Sequence, residues 1–416
     1  MLILARLLVG LLALGTIGFM TAFLGAMGVA VLESRPLDSV AMKSSAEAKA
    51  YAEAEKAALA SVNLTTTASD VGIHQPVAHA HAFEAGKGEP VLFLPGDGGA
   101  ATYAPLLGEL RKYHVFAVDR PAQGLTDGID YQAADLRRLS VTFIHNMLKA
   151  LGIGRVVLVG SGIGGDFAIW YALAHPDRVA GVILLGTPAG ALDTGAPEPI
   201  RRLTVDGQGP ILSLLSPSHK SAEAARKYWT PLLGAHAVDH ITPQVRETLM
   251  AADAMPGSRR SQRIFWRDLL AKKTTGITAD ELSNLKPPLL WVWGDADAYA
   301  DTGFVGRAKL AAPAAEWRIL AGAGQAPWLD DAAAVAVPIA TFLDRVQPAP
   351  PPVAQVAAKP ASKHHASHGE PALGAVPDVE DEQPSLGLPE PKPEAKPEPK
   401  AAAKPTKPKG PVDEDE

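Results

Sequence analysis

The chain has 416 residues, 47% of them apolar, which allows one large buried core plus appendages. Its 39 basic and 45 acidic side chains give a net charge of −6 with no basic block, which argues against a nucleic-acid partner. It has no cysteine, which excludes disulfides, thiolate zinc sites and a cysteine nucleophile but leaves the compartment open.

Leu7 to Leu32 is 26 residues without a charge. As a helix it would be about 39 Å long, against a hydrocarbon core of roughly 30 Å. The expectation is a single-pass membrane anchor over 7–32, within an N-terminal unit of residues 1–35. The rival is a cleaved signal peptide ending near Gly28-Val29-Ala30, whose apolar region would usually be shorter. Lys and Arg counts on the two sides give no clean orientation. The short N-terminus favours a periplasmic or extracellular body. Ser44 to Ala60 is rich in Ala, Glu and Lys and reads as a solvated helical spacer, with Ser44 or Ser45 as its cap, inside a spacer unit of 36–70. Thr65 to Asp70 reads as a polar break.

A folded domain is expected over 71–346. Its strands are read at Val77–Glu84, Val91–Leu94, Val115–Val118, Val156–Val159, Val179–Leu185, Leu289–Trp293 and Trp317–Leu320. Helical patterns at Tyr103–Tyr113, Ala133–Leu151, Phe304–Leu310 and Ala332–Arg345 alternate with them. This alternation predicts an α/β fold, a mostly parallel sheet flanked by helices. It stops between 187 and 285, where helical segments around Ala222–Leu233 and Pro243–Ala254 read as an inserted cap. Residues 347–416 are built of Pro, Ala, Lys and Glu. Such a segment cannot bury enough apolar surface to fold and is expected to be a disordered spacer or docking arm for a protein partner. His364, His365 and His368 in it read as linker histidines rather than metal ligands.

Arg155 to Gly165, RVVLVGSGIGG, organises the domain: a buried strand, a glycine-rich turn, then a helix. That is the setting of a nucleophile elbow. Further landmarks lie around it. Pro95-Gly96-Asp97-Gly98-Gly99 follows one strand and Asp119-Arg120-Pro121 through Gly124 follows the next. Trp293-Gly294-Asp295-Ala296-Asp297 ends a late strand, and Ala321 to Trp328 is a loop near the end of the domain. Together these resemble the α/β-hydrolase family with a helical cap. The resemblance implies a nucleophile at Gly162, an acid at Asp297, a histidine at position 325, and oxyanion amides at Asp97 and Ile163. The departures are specific. The nucleophile position holds Gly162, the base position holds Gln325, and Pro95 opens the oxyanion loop where histidine is usual.

Glycine supplies no nucleophilic atom, and glutamine cannot accept and return a proton near neutral pH. The elbow's positive-φ geometry costs a non-Gly residue about 1–3 kcal/mol, which glycine avoids. Ser161 is the alternative nucleophile, one residue off the tip. It would need a base from His74, His79, His81, His114, His145, His175, His219, His236 or His240, of which the last two lie in the cap. An acidic Asp97 beside the oxyanion amides would oppose a developing negative charge. The favoured reading of Asp97 is a solvent-facing turn residue. Asp297 alone reads as a hydrogen-bonding remnant, and Trp291, Trp293 and Trp328 as packing.

Three functions follow. The first is a membrane-anchored hydrolase-fold protein without hydrolase activity, binding a small apolar ligand or a partner. The second is a hydrolase of esters or similar small substrates working through Ser161. The third is a scaffold relying on anchor and tail. No cofactor and no metal are expected.

Overall fold

The computed structural model describes residues 15–28, except 22 and 26, and residues 45–347, except 130, 132–134, 206–208, 210–219, 256, 272–275 and 302. Of the expected tail over 347–416 all but Gln347, and most of the apolar run 7–32, lie outside the described residues. Residues 15–21, 23–25 and 27–28 are helical, and Ile17, Phe19 and Phe23 there are exposed. Among the described residues no helix is long and apolar enough to cross a membrane.

Eight strands form one sheet: β1 Thr67–Gly72, β2 His79–Ala85, β3 Pro90–Leu94, β4 His114–Val118, β5 Val156–Ser161, β6 Val179–Leu185, β7 Leu289–Gly294 and β8 Glu316–Leu320. Their order is β1-β2-β4-β3-β5-β6-β7-β8. β2 runs antiparallel to both β1 and β4, and every other pairing is parallel. The mostly parallel sheet expected from the alternation is therefore present. β5 and β6 are neighbouring interior strands, buried along their whole length. That explains their near-continuous Val, Leu and Ile content, since both faces are covered by helices.

The helix Leu136–Ala150 shows how the covering forms. Asp135 caps it by accepting from the amides of Arg137 and Arg138. Leu136, Leu139, Phe143, Ile144 and Met147 recur at three- and four-residue spacing on its buried face.

Two N-terminal expectations are corrected. Thr65–Asp70 is not a break, because Thr67–Gly72 pairs with β2 as the outer strand. Its polar sequence fits an edge, where the strand is exposed at nearly every position. The helix α1, Ala46–Ser61, is present and Ser45 caps it, but it is no solvated spacer. Ala48, Tyr51, Ala54, Glu55, Ala58 and Leu59 form a buried face. It packs on the helix Pro243–Ala254, and Thr248 of that helix donates to the Ala54 carbonyl. The helical pattern hid this docking because half of the buried residues are alanines, which read as neutral in sequence.

Between β6 and β7 the described residues form helices at Glu198–Leu203, Ala222–Leu233, Ala235–His240, Pro243–Ala254, Ser258–Leu270 and Ala279–Ser283. This is the helical segment expected over 187–285.

Candidate functional site

The elbow is built as the sequence implies. β5 ends at Ser161, and the helix α4, Ile163–Ala174, begins two residues later with Gly162 as its N-cap. Gly162 has φ +50° and ψ −122°, a conformation that side-chain-bearing residues adopt only under strain. The turn also needs close backbone approach. A Cβ on Gly164 would lie 2.0 Å from the Leu94 carbonyl oxygen, so only glycine lets α4 pack on the end of β3.

The nucleophile and base positions still face one another. A Cβ placed on Gly162 would lie 3.6 Å from the Gln325 side-chain nitrogen and 3.6 Å from the Gly96 Cα. Both are ordinary van der Waals distances, so the space for a side chain at the tip is intact. Gln325 is buried and locked to the backbone. Its Nε2 donates to the Thr187 carbonyl at 2.8 Å, and its Oε1 accepts from the Thr187 amide at 3.0 Å.

Asp297 converges on the same residue. Its Oδ2 accepts from the Thr187 amide at 2.9 Å and from the Thr187 hydroxyl at 2.7 Å, and its Oδ1 accepts from the Tyr299 amide at 2.9 Å. Burial pushes its pKa up to about 6, against the opposing pull of the Tyr299 amide and Thr187. The expected hydrogen-bonding remnant is thus a fully partnered carboxyl beside position 325. Thr187, which sequence reasoning missed, joins acid and base positions. Trp293 donates to its hydroxyl at 3.0 Å. Only its place just after β6 pointed to it.

Ser161 does not occupy the tip. Its Oγ accepts from the Gly96 amide at 3.0 Å and from the Tyr103 hydroxyl at 2.8 Å, and the residue is buried. No histidine lines this pocket among the described residues. His236 instead bonds Asp330 and stacks on His240, both rings on the exposed side of the cap. Tyr103 cannot serve as the base, because burial raises its pKa beyond reach.

The amides of Asp97 and Ile163, at the oxyanion positions, make no hydrogen bond to another described residue. Arg120 braces the loop before them. Its buried guanidinium donates to the Pro95 and Gly96 carbonyls, both at 2.6 Å. The solvent-facing reading of Asp97 is corrected. Asp97 lines the pocket, its Oδ1 is shut off from solvent without a partner, and burial raises its pKa against the pull of Arg120 and a Gln262 hydrogen bond.

The pocket is lined by Gly162, Gln325 and Ser161 from the elbow side and by Trp229, Leu249 and Trp266 from the helical segment above. Its cavity is about 30 Å³, room for roughly two waters. Trp328 also lines it, while Trp291 is wholly core.

Outside the pocket, donor atoms of Glu55, His81 and Asp119 lie within 4.8 Å of one another in the interior. Glu55 and His81 already bond at 2.8 Å. Asp119 accepts from the Tyr51 hydroxyl and the amides of Ala100 and Leu125. These bonds fasten α1 to the sheet, and the group reads as a buried clasp rather than a metal centre.

Residues 91–337 match the family model described as the alpha/beta hydrolase family. The chain is 26% identical over 227 residues to a 2-hydroxy-6-oxononadienedioate/2-hydroxy-6-oxononatrienedioate hydrolase of Burkholderia vietnamiensis, covering 53% of this chain and 75% of that protein. A protein of the same name from Paraburkholderia phymatum is 25% identical over 257 residues, covering 60% of this chain and 85% of its own length. Among solved structures, a carboxylesterase from Bacillus subtilis superposes with a TM-score of 0.57 at 19% identity, covering 72% of this chain and 99% of that one. At that identity the likeness speaks for the fold.

Proposed function

The chain belongs to the α/β-hydrolase family, and we propose that it keeps the family's scaffold and pocket while its elbow no longer carries covalent hydrolysis, the pocket serving to bind a small ligand. One observation carries this. A Cβ at the tip would stand 3.6 Å from the Gln325 side chain, yet the tip holds no side chain and the base position holds an amide clamped to Thr187. A triad needs a nucleophile whose proton passes to an imidazole oriented by the acid. Here the acid's oxygens are spent on Thr187 and Tyr299.

A second reading is a hydrolase of esters or related small substrates with Ser161 as nucleophile. The Burkholderia and Paraburkholderia relatives support it, since both carry the name of a hydrolase. Against it stand the burial of Ser161 and its engagement by Gly96 and Tyr103. Turnover of a nitrophenyl ester series by wild type and Ser161→Ala separates the two. The first reading expects neither protein to exceed the buffer rate. Wild-type turnover lost in Ser161→Ala would install the second.

The anchor over 7–32 and a non-cytoplasmic position of the domain are part of the same proposal, supported by the length of the uncharged run. A reporter fused after Glu416 and active only in the cytoplasm would reverse it, and a mature protein starting near Val31 would make the run a signal peptide. The Pro-rich tail is proposed as the docking arm for a protein partner, and a scaffold role would show as function surviving a filled pocket.

A further inference from the structure

Among the described residues, the wall of the pocket at the elbow holds one charged side chain, and it is an acid. Asp97 stands there with no Lys, Arg or His among the described lining residues. Arg120, whose charge acts on Asp97, is spent behind the loop on the Pro95 and Gly96 carbonyls. An anion entering the pocket would meet a carboxyl beside the two free amides, and like charge in a desolvated site is costly. The dicarboxylate named for the Burkholderia relative is therefore a poor fit to this wall.

Four aromatic side chains stand in the same wall. Trp229, Trp266, Trp328 and Tyr299 line the pocket, and the Trp266 and Tyr299 rings lie 5.6 Å apart. Ring faces attract cations, and they do so more strongly where water is excluded. Asp97 is held within this group. Gln262 pulls its pKa down, Tyr228 donates to Gln262 at 3.3 Å, and the charge of Asp97 adds to the upward shift of the Tyr299 hydroxyl. Its Oδ1 is left without a donor.

We propose that the pocket takes a compact alkylammonium, its N–H groups on the Asp97 carboxylate and its charge against the faces of Trp229, Trp266 and Tyr299. The proposal rests on the reading of the pocket as a ligand site. Since the cavity is about 30 Å³, entry needs the helices that carry Trp229, Leu249 and Trp266 to move outward.

The test uses the full chain and three probes of one shape and different charge: neopentylammonium, neopentyl alcohol and pivalate. Binding is read by calorimetry and by quenching of tryptophan fluorescence, in wild type, Asp97→Asn and Trp229→Leu. The expected result is ammonium over alcohol by roughly 10- to 30-fold, with no binding of pivalate. Asp97→Asn should reduce that preference several-fold while keeping alcohol binding, the ring faces holding what remains. Trp229→Leu, which leaves the carboxyl in place, should weaken the ammonium more than the alcohol. Equal binding of ammonium and alcohol, unaffected by Asp97→Asn, would overturn the charge assignment and leave the ligand site standing. Tightest binding of pivalate would also overturn it. Binding of none of the three would overturn both.

Discussion

Replacing Gly162 by serine restores the missing hydroxyl at the elbow and measures what its absence is worth. The structure sets two terms. Space is available, because the nearest atoms to the new Cβ are 3.6 Å away. The backbone is the obstacle, since φ is +50°. Holding a side-chain-bearing residue there costs about 1–3 kcal/mol. For a domain of this size that is a fall in Tm of roughly 2–6 °C. Adding Gln325→His removes the two bonds to Thr187 and leaves its buried carbonyl without a donor, a further cost of about 1–3 kcal/mol. The two sites touch, so the costs need not add. Activity should run the other way. Each single variant should hydrolyse nitrophenyl esters no faster than wild type, because triad members act as a unit. The double variant should exceed both by at least about tenfold, since Asp297 lies beside position 325 and shares a donor with it. Calorimetric melting and ester turnover on the four proteins give both readings. A Gly162→Ser protein as stable as wild type would refute the strain argument. Full turnover from Gly162→Ser alone would refute the argument that the base position is dead.

Three other outcomes are expected. Tyr51→Phe keeps the buried ring but takes the hydroxyl from Asp119, and should cost about 1.5–3 kcal/mol in urea unfolding, as for a hydrogen bond to a charged group. Gly164→Ala places a Cβ 2.0 Å from the Leu94 carbonyl oxygen and should yield little soluble protein, whereas a soluble protein of normal Tm would contradict the elbow packing. Asp166, buried in α4, has its pKa raised by burial to about 8. Its folded value lies above the unfolded one of about 3.9, so the folded state binds more protons between them. That contribution is full below about pH 4 and is lost as pH rises through 8, so urea unfolding of wild type and Asp166→Asn from pH 5 to 9 should show wild type losing stability relative to the variant.

The sheet was legible because its strands are short apolar runs bounded by glycine turns, as at Val156–Gly162 and Leu289–Gly294. The substituted positions were legible too, since Gly162 and Gln325 each sit inside a local motif that fixes their register. Three things were not. α1 docks through alanines and a few polar groups, and no periodic apolar face announces that. β1 pairs by backbone hydrogen bonds that ask little of its side chains. Thr187 and Tyr103 act through contacts with residues distant in sequence, Asp297 and Ser161, which only the fold brings together. Asp97 was misread for the same reason. A Gly-Asp-Gly-Gly stretch looks like a solvated turn, and the helices that close over it come from beyond residue 220.

The central claim is that no activated serine exists at the elbow. Wild-type protein treated with a serine-directed fluorophosphonate, beside an active serine hydrolase as control, tests it by intact mass. The account predicts an unmodified chain when the control is fully labelled. A single adduct that maps to Ser161 and disappears in Ser161→Ala would contradict it.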